Sequence, residues 1–152
     1  MQYDFFIAAR YRNKDAVLEL ARKIRECGKT VYCFVESDAS ATHVGSVDSE
    51  PEQAMHQFET LENWQNHPAV REVFDTDMNA LRAAETLILL LPAGKSAHVE
   101  AGAAYGMGKR CILIGEQKTT ESLYLIFSEF YSTIDDFARA LPKNQNSIIK
   151  PK

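Results

Sequence analysis

The chain has 152 residues, 45% of them hydrophobic and 25% charged, the balance of one globular unit with a single core. A formal net charge of -4 without a Lys/Arg stripe excludes a nucleic-acid polymer as main partner, because a phosphate backbone demands clustered cations. The longest apolar run, TLILLLPA, is too short to cross a bilayer, and MQYDFFIAAR has neither a basic n-region nor a cleavage site, so a cytoplasmic protein with no membrane partner is expected.

In chain order, YDFFIAA at 3–9 reads as a first strand, short, aromatic and apolar. Residues 13–27 carry Ala16, Val17, Leu20, Ala21 and Ile24 at helical spacing, with Gly28 as the stop. KTVYCFV, 29–35, is a second strand, and β-α-β in so short a span implies a parallel pair with a right-handed crossover. The small, polar stretch 37–50 reads as a mobile loop. Helix follows Pro51 through EQAMHQFETLENWQ, and Pro68 opens another, AVREVFDTDMNALRAAE, from a position that proline tolerates. TLILLLP, 86–92, is the nearly continuous apolar run of a central strand covered on both faces. A helix over Ser96–Met107, a strand at 110–115, a short fifth strand in SLYLIF and a last helix capped by Ser132 complete the pattern. The expected architecture is α/β: a flavodoxin-like open parallel sheet of about five strands in the order 2-1-3-4-5, with helices on both faces. One domain would fill 1–142, with a loosely ordered tail at 143–152.

In such sheets a ligand sits beyond the carboxyl ends of the strands, where the strand order reverses. Here that point lies between AARYRN and PAGKSAHVE. The GKS of the second stretch is not a phosphate-binding P-loop, since Leu89 stands where the motif needs glycine, and no GxGxxG follows the first strand. Ser96 is instead expected to cap the helix, leaving the N–H groups of 97–99 as an anion-favouring end beside Lys95. Gly102, Gly106 and Gly108 read as packing positions.

Glu100 then falls in the first or second turn, where the helix dipole favours the ionised carboxylate; an ionised, well-placed carboxylate suits a nucleophile. The competing reading is an exposed Glu that merely offsets the dipole. A second acid weighs against it. Of Asp75 and Asp77 only one can share a direction, and Asp77 borders the stripe of Met78, Leu81 and Ala84. Two carboxylates converging on one pocket are the usual equipment for cleaving a glycosidic bond.

The cysteines Cys27, Cys33 and Cys111 have no CxxC spacing and form neither a disulfide framework nor a zinc site. His43, His56 and His67 are too scattered for metal ligation, while His98 is a candidate for lining the pocket. No metal and no organic cofactor are implied.

These residues resemble the nucleoside 2-deoxyribosyltransferases and their nucleotide N-hydrolase relatives. The resemblance covers most of 3–115 and rests on FIAARYR, on Asp77 in a D-x-N-x-L context, and on the more specific PAGKSAHVEAGAAYGMGK. It implies that Glu100 is the nucleophile of a covalent glycosyl-enzyme intermediate and that Asp77 holds sugar hydroxyls or positions Glu100. It further implies that Gly94, Lys95, Ser96, Arg10 and Arg12 surround a 5′-phosphate, that Tyr11 stacks on a base, and that the protein is a homodimer or higher oligomer with a neighbouring chain closing the pocket.

Two departures stand out. Transferases of the family carry a first-strand tyrosine that hydrogen-bonds the nucleophile, and Phe6 occupies that place. They also carry an acid shortly before the Glu, and PAGKSAH has none. Hydrolysis of a nucleoside 5′-monophosphate is therefore expected ahead of base exchange. TIR-type NAD-cleaving domains share the broad layout and a Glu on a helix just after a strand, and a nucleotide-binding module without turnover is the non-enzymatic alternative.

Overall fold

The computed structural model describes residues 1–37 and 51–143, so the rest of the 37–50 loop and of the 143–152 tail lies outside the described residues. Five parallel strands form one sheet: β1 (Tyr3–Ala8), β2 (Val31–Cys33), β3 (Ala84–Leu90), β4 (Arg110–Ile114) and β5 (Glu129–Tyr131). Their spatial order is 2-1-3-4-5, the flavodoxin-like order. The helices are α1 (Lys14–Glu26), α2 (Pro51–Glu59), α3 (Pro68–Arg82), α4 (Lys95–Gly106) and α5 (Ile134–Ala140).

Each strand sends alternate side chains to opposite faces, and both faces are covered. Phe5, Ile7, Ile88 and Ile112 pack with Val17, Leu20 and Ile24 of α1 and Phe137 of α5. On the other face Phe6, Ala8, Leu87, Leu89 and Leu113 pack with Leu81 of α3 and with Ala97, Ala101 and Ala104 of α4. Side chains of one-carbon size at positions i, i+4 and i+7 bring α4 close to the sheet. Burying a large apolar side chain such as Phe6 contributes about 2–3 kcal/mol.

Several expectations shift. SLYLIF is not a strand: Ser122–Ile126 is a 3-10 helix whose first turn is capped by the Glu121 carboxylate accepting from the Leu123 amide, and Leu123 and Leu125 project outward. The fifth strand is the next segment, Glu129–Tyr131, too short and too exposed to carry an apolar signature. The last helix is capped by Thr133, whose hydroxyl accepts from the Asp136 amide, rather than by Ser132. The helix after Pro51 ends at Glu59, and Trp64–Asn66 is a separate 3-10 turn. Helix α3 stops at Arg82, and β3 begins two residues earlier than expected. Lys109 stabilises that handover by donating to the carbonyls of Arg82 (3.1 Å) and Ala84 (2.6 Å). Pro68 does open α3, with the His67 ring accepting from the Ala69 amide as its cap.

Candidate active site

The candidate acids lie on α3 and α4, which pack against each other and against β1 and β3. Asp77 lies three and four residues before the buried Ala80 and Leu81, so it shares their sheetward side of α3. Glu100 sits beside the alanine face of α4, three residues after Ala97 and four before Ala104. Both acids are half-buried, and the Asp77 charge bears on Glu100.

Desolvation dominates their titration. Burial raises Asp77 from 3.8 to about 6, against the opposing pull of a hydrogen bond from Tyr32. Burial raises Glu100 well above its ordinary value, and the neighbouring charge of Asp77 adds to the rise. No cation among the described residues offsets either shift. The expectation of a dipole-ionised Glu100 is thereby corrected. Glu100 is the sixth residue of α4, beyond the turn where the dipole acts, and burial there works against its ionised form.

The helix start is corrected too. Gly94 is the N-cap of α4 in an extended conformation, with no side-chain cap, and Lys95 and Ser96 already belong to the helix and are exposed. The amide of His98 returns to the carbonyl of Gly94, which leaves the amides of 95–97 at the free end. His98 itself is engaged at both ring nitrogens, by the Gly94 carbonyl at 2.8 Å and by the Tyr124 hydroxyl at 2.7 Å. It ties the loop before α4 to the 3-10 helix.

The residues after β1 divide. Arg10 precedes a 3-10 turn, Tyr11–Asn13, and enters no ion pair among the described residues. Arg12 is occupied: its guanidinium binds Glu52 and Glu59, at either end of α2, and so fastens α2 to the end of β1. Tyr11 is half-buried, with the Lys14 ammonium 5.8 Å from its ring centroid.

Tyr32 is the residue that sequence reasoning passed over. It reaches Asp77 from β2, where it read only as one more strand aromatic, and its hydroxyl donates to Oδ1 at 2.9 Å. Burial raises its own pKa, and the charges of Asp77 and Glu100 raise it further. Phe6, fully buried, stacks against the Tyr32 ring. A signal was available: two strands of this length, paired in parallel, put the centre of VYC beside the centre of DFFIA. Two surface hollows lie away from the acids. One lies at the opposite end of the sheet, around Lys29, Glu85 and Arg110, and the other by Gly115, Tyr124 and Phe130. Among the described residues no group of three or more His, Cys, Asp or Glu is placed to hold a metal ion, and no helix is long and apolar enough to cross a membrane.

No protein-family profile matches the sequence, and no curated protein does. Among solved structures, a 2-deoxyribosyltransferase from the psychrotolerant bacterium Bacillus psychrosaccharolyticus superposes with a TM-score of 0.61 at 15% identity, covering 90% of this chain and 91% of that one. The CMP N-glycosidase BcmB of Clostridium botulinum is also similar, with a TM-score of 0.49 at 18% identity over 89% of this chain and 93% of that one. The chain thus has the fold of a 2-deoxyribosyltransferase.

Proposed function

We propose that this chain is an N-glycosidase of the nucleoside 2-deoxyribosyltransferase superfamily, acting on a nucleoside or, preferentially, a nucleoside 5′-monophosphate. The observation that supports the reading is the pair Asp77 and Glu100 on α3 and α4, near enough for the charge of Asp77 to act on Glu100 and with no cation among the described residues offsetting either shift. Buried, unneutralised carboxylates are costly to a fold, and their place is characteristically an active site.

In this mechanism the ionised Glu100 attacks the anomeric carbon. A C–O bond to the carboxylate forms as the C–N bond breaks, and the bonding pair leaves with the base, which takes a proton from solvent. Water then attacks the same carbon, freeing Glu100 and losing a proton to solvent. Asp77 accepts hydrogen bonds from the sugar hydroxyls. The free amides at the start of α4, with Gly94, Lys95, Ser96 and Arg10, receive the phosphate. Arg12 and His98 support that wall through their bonds to Glu52, Glu59, the Gly94 carbonyl and Tyr124. Because Glu100 must lose its proton to attack, turnover rises with pH through the Glu100 titration.

A second copy of the chain completes the site in this reading. Val99, Leu123, Leu125 and Phe130 are exposed on α4, the 3-10 helix and β5, a pattern of surface apolar residues that suits an interface. The test is base release from nucleosides, deoxynucleosides, their 5′-monophosphates and NAD, by wild type and Glu100→Gln. Base from a monophosphate with wild type alone supports the proposal. Nicotinamide from NAD would move the protein to the NAD-cleaving class, and ligand binding without any product would make it a binding module.

A further inference from the structure

Tyr32 stands on β2 directly opposite Phe6 of β1, its ring stacked on the Phe6 ring at 5.1 Å between centroids and 20° between planes. Tyr3 meets the same ring edge-on at 5.7 Å. These two aromatic contacts hold the buried Tyr32 ring, and its hydroxyl donates to Oδ1 of Asp77 while the Ser37 side chain hydrogen-bonds the same phenol.

We propose that Tyr32 is a positioning residue for the acid pair: its hydroxyl, delivered from β2, holds the Asp77 carboxylate in the site. A buried tyrosine needs some acceptor for its O–H, but a backbone carbonyl would serve packing equally well. The acceptor here is one of two unneutralised acids, and the donor stabilises the ionised form of that acid alone. The groups facing one another are Tyr32 and Ser37 from the β2 segment, Asp77 from α3 and Glu100 from α4. The catalytic consequence rests on the glycosidase reading, whereas the effect on Asp77 does not.

The test is carbon-13 NMR of labelled Asp and Glu carboxyls in the full chain from about pH 4 to about pH 9, for wild type and Tyr32→Phe, with Asp77→Asn to assign the signal. Tyr32→Phe keeps the ring and the stack. The Asp77 midpoint is expected to rise by about one pH unit, the effect of losing one hydrogen bond to a charged group. An unchanged midpoint overturns the proposal, whatever the activity. A fluorotyrosine-substituted wild type gives the independent check: its more acidic hydroxyl donates more strongly and lowers the midpoint, and no movement again overturns it. Where base release is observed, Tyr32→Phe also lowers kcat with little change in KM, because Asp77 loses the donor that holds it in place. Absence of base release from wild type counts against the glycosidase reading, while the titration still decides the role of Tyr32.

Discussion

Replacing Asp77 by Asn should stabilise the protein in mildly alkaline solution. The ionised carboxylate is held where the fold desolvates it, so its pKa stands at about 6 against 3.8 in the ordinary state. A folded-state value above the unfolded one means that the folded chain binds the proton more tightly. Stability linked to Asp77 is therefore fully present below the unfolded value and is lost as pH rises through the folded one. A gap of roughly two units, at about 1.4 kcal/mol each, puts the loss near 3 kcal/mol by about pH 8, and partial solvent contact makes this an upper bound. Asn has nearly the same volume, keeps an oxygen to accept from Tyr32, and carries no charge to desolvate. Removing the Asp77 charge also eases the ionisation of Glu100, which acts in the same direction. Urea unfolding should show Asp77→Asn more stable than wild type by about 2–3 kcal/mol near pH 8 and by less than about 1 kcal/mol near pH 4. An Asn variant less stable than wild type near pH 8, or a difference independent of pH, would refute the claim that desolvation governs this acid.

Gly115, at the end of β4, has a φ of +122°, and a Cβ there would approach the Leu91 Cβ to 2.7 Å, so Gly115→Ala should cost about 2–4 kcal/mol in thermal or urea unfolding. Arg10→Ala should raise KM for a 5′-monophosphate and leave the free nucleoside unaffected, as steady-state kinetics on both substrates would reveal. Arg12→Ala should instead speed amide hydrogen exchange across residues 52–59, because its partners Glu52 and Glu59 are what fasten α2. Sedimentation equilibrium should find wild type as a dimer or larger, and Leu125→Lys, which alters an 84% exposed position, should shift it toward monomer.

The sheet was legible because its inner strands are nearly all apolar and its helices carry clear periodicity. Val17, Leu20, Ala21 and Ile24 of α1 are all buried, as their spacing implies. What failed were short elements whose identity depends on tertiary context. SLYLIF has strand composition but is claimed by a Glu121 cap and the His98–Tyr124 bond, while EFY, with a charged residue at its start, pairs as β5 because β4 offers its edge. The helix boundary at Lys95 was obscured by Ser96, a better intrinsic cap than Gly94. At the site, Asp77 and Glu100 could be found from helical position. Their protonation could not, because desolvation depends on how closely α3 and α4 sit together. Arg12 and His98 carried ligand-like chemistry in the sequence, and only the fold reveals that Glu52, Glu59, Gly94 and Tyr124 already occupy them.

The most direct test of the account is chromatographic detection of free base after incubating wild type and Glu100→Gln with nucleoside 5′-monophosphates. The account predicts base from wild type, none from Glu100→Gln, and matching circular dichroism spectra for the two proteins. Equal base release by both would contradict the role given to Glu100, and a wild type that binds monophosphates without releasing base would contradict the glycosidase itself.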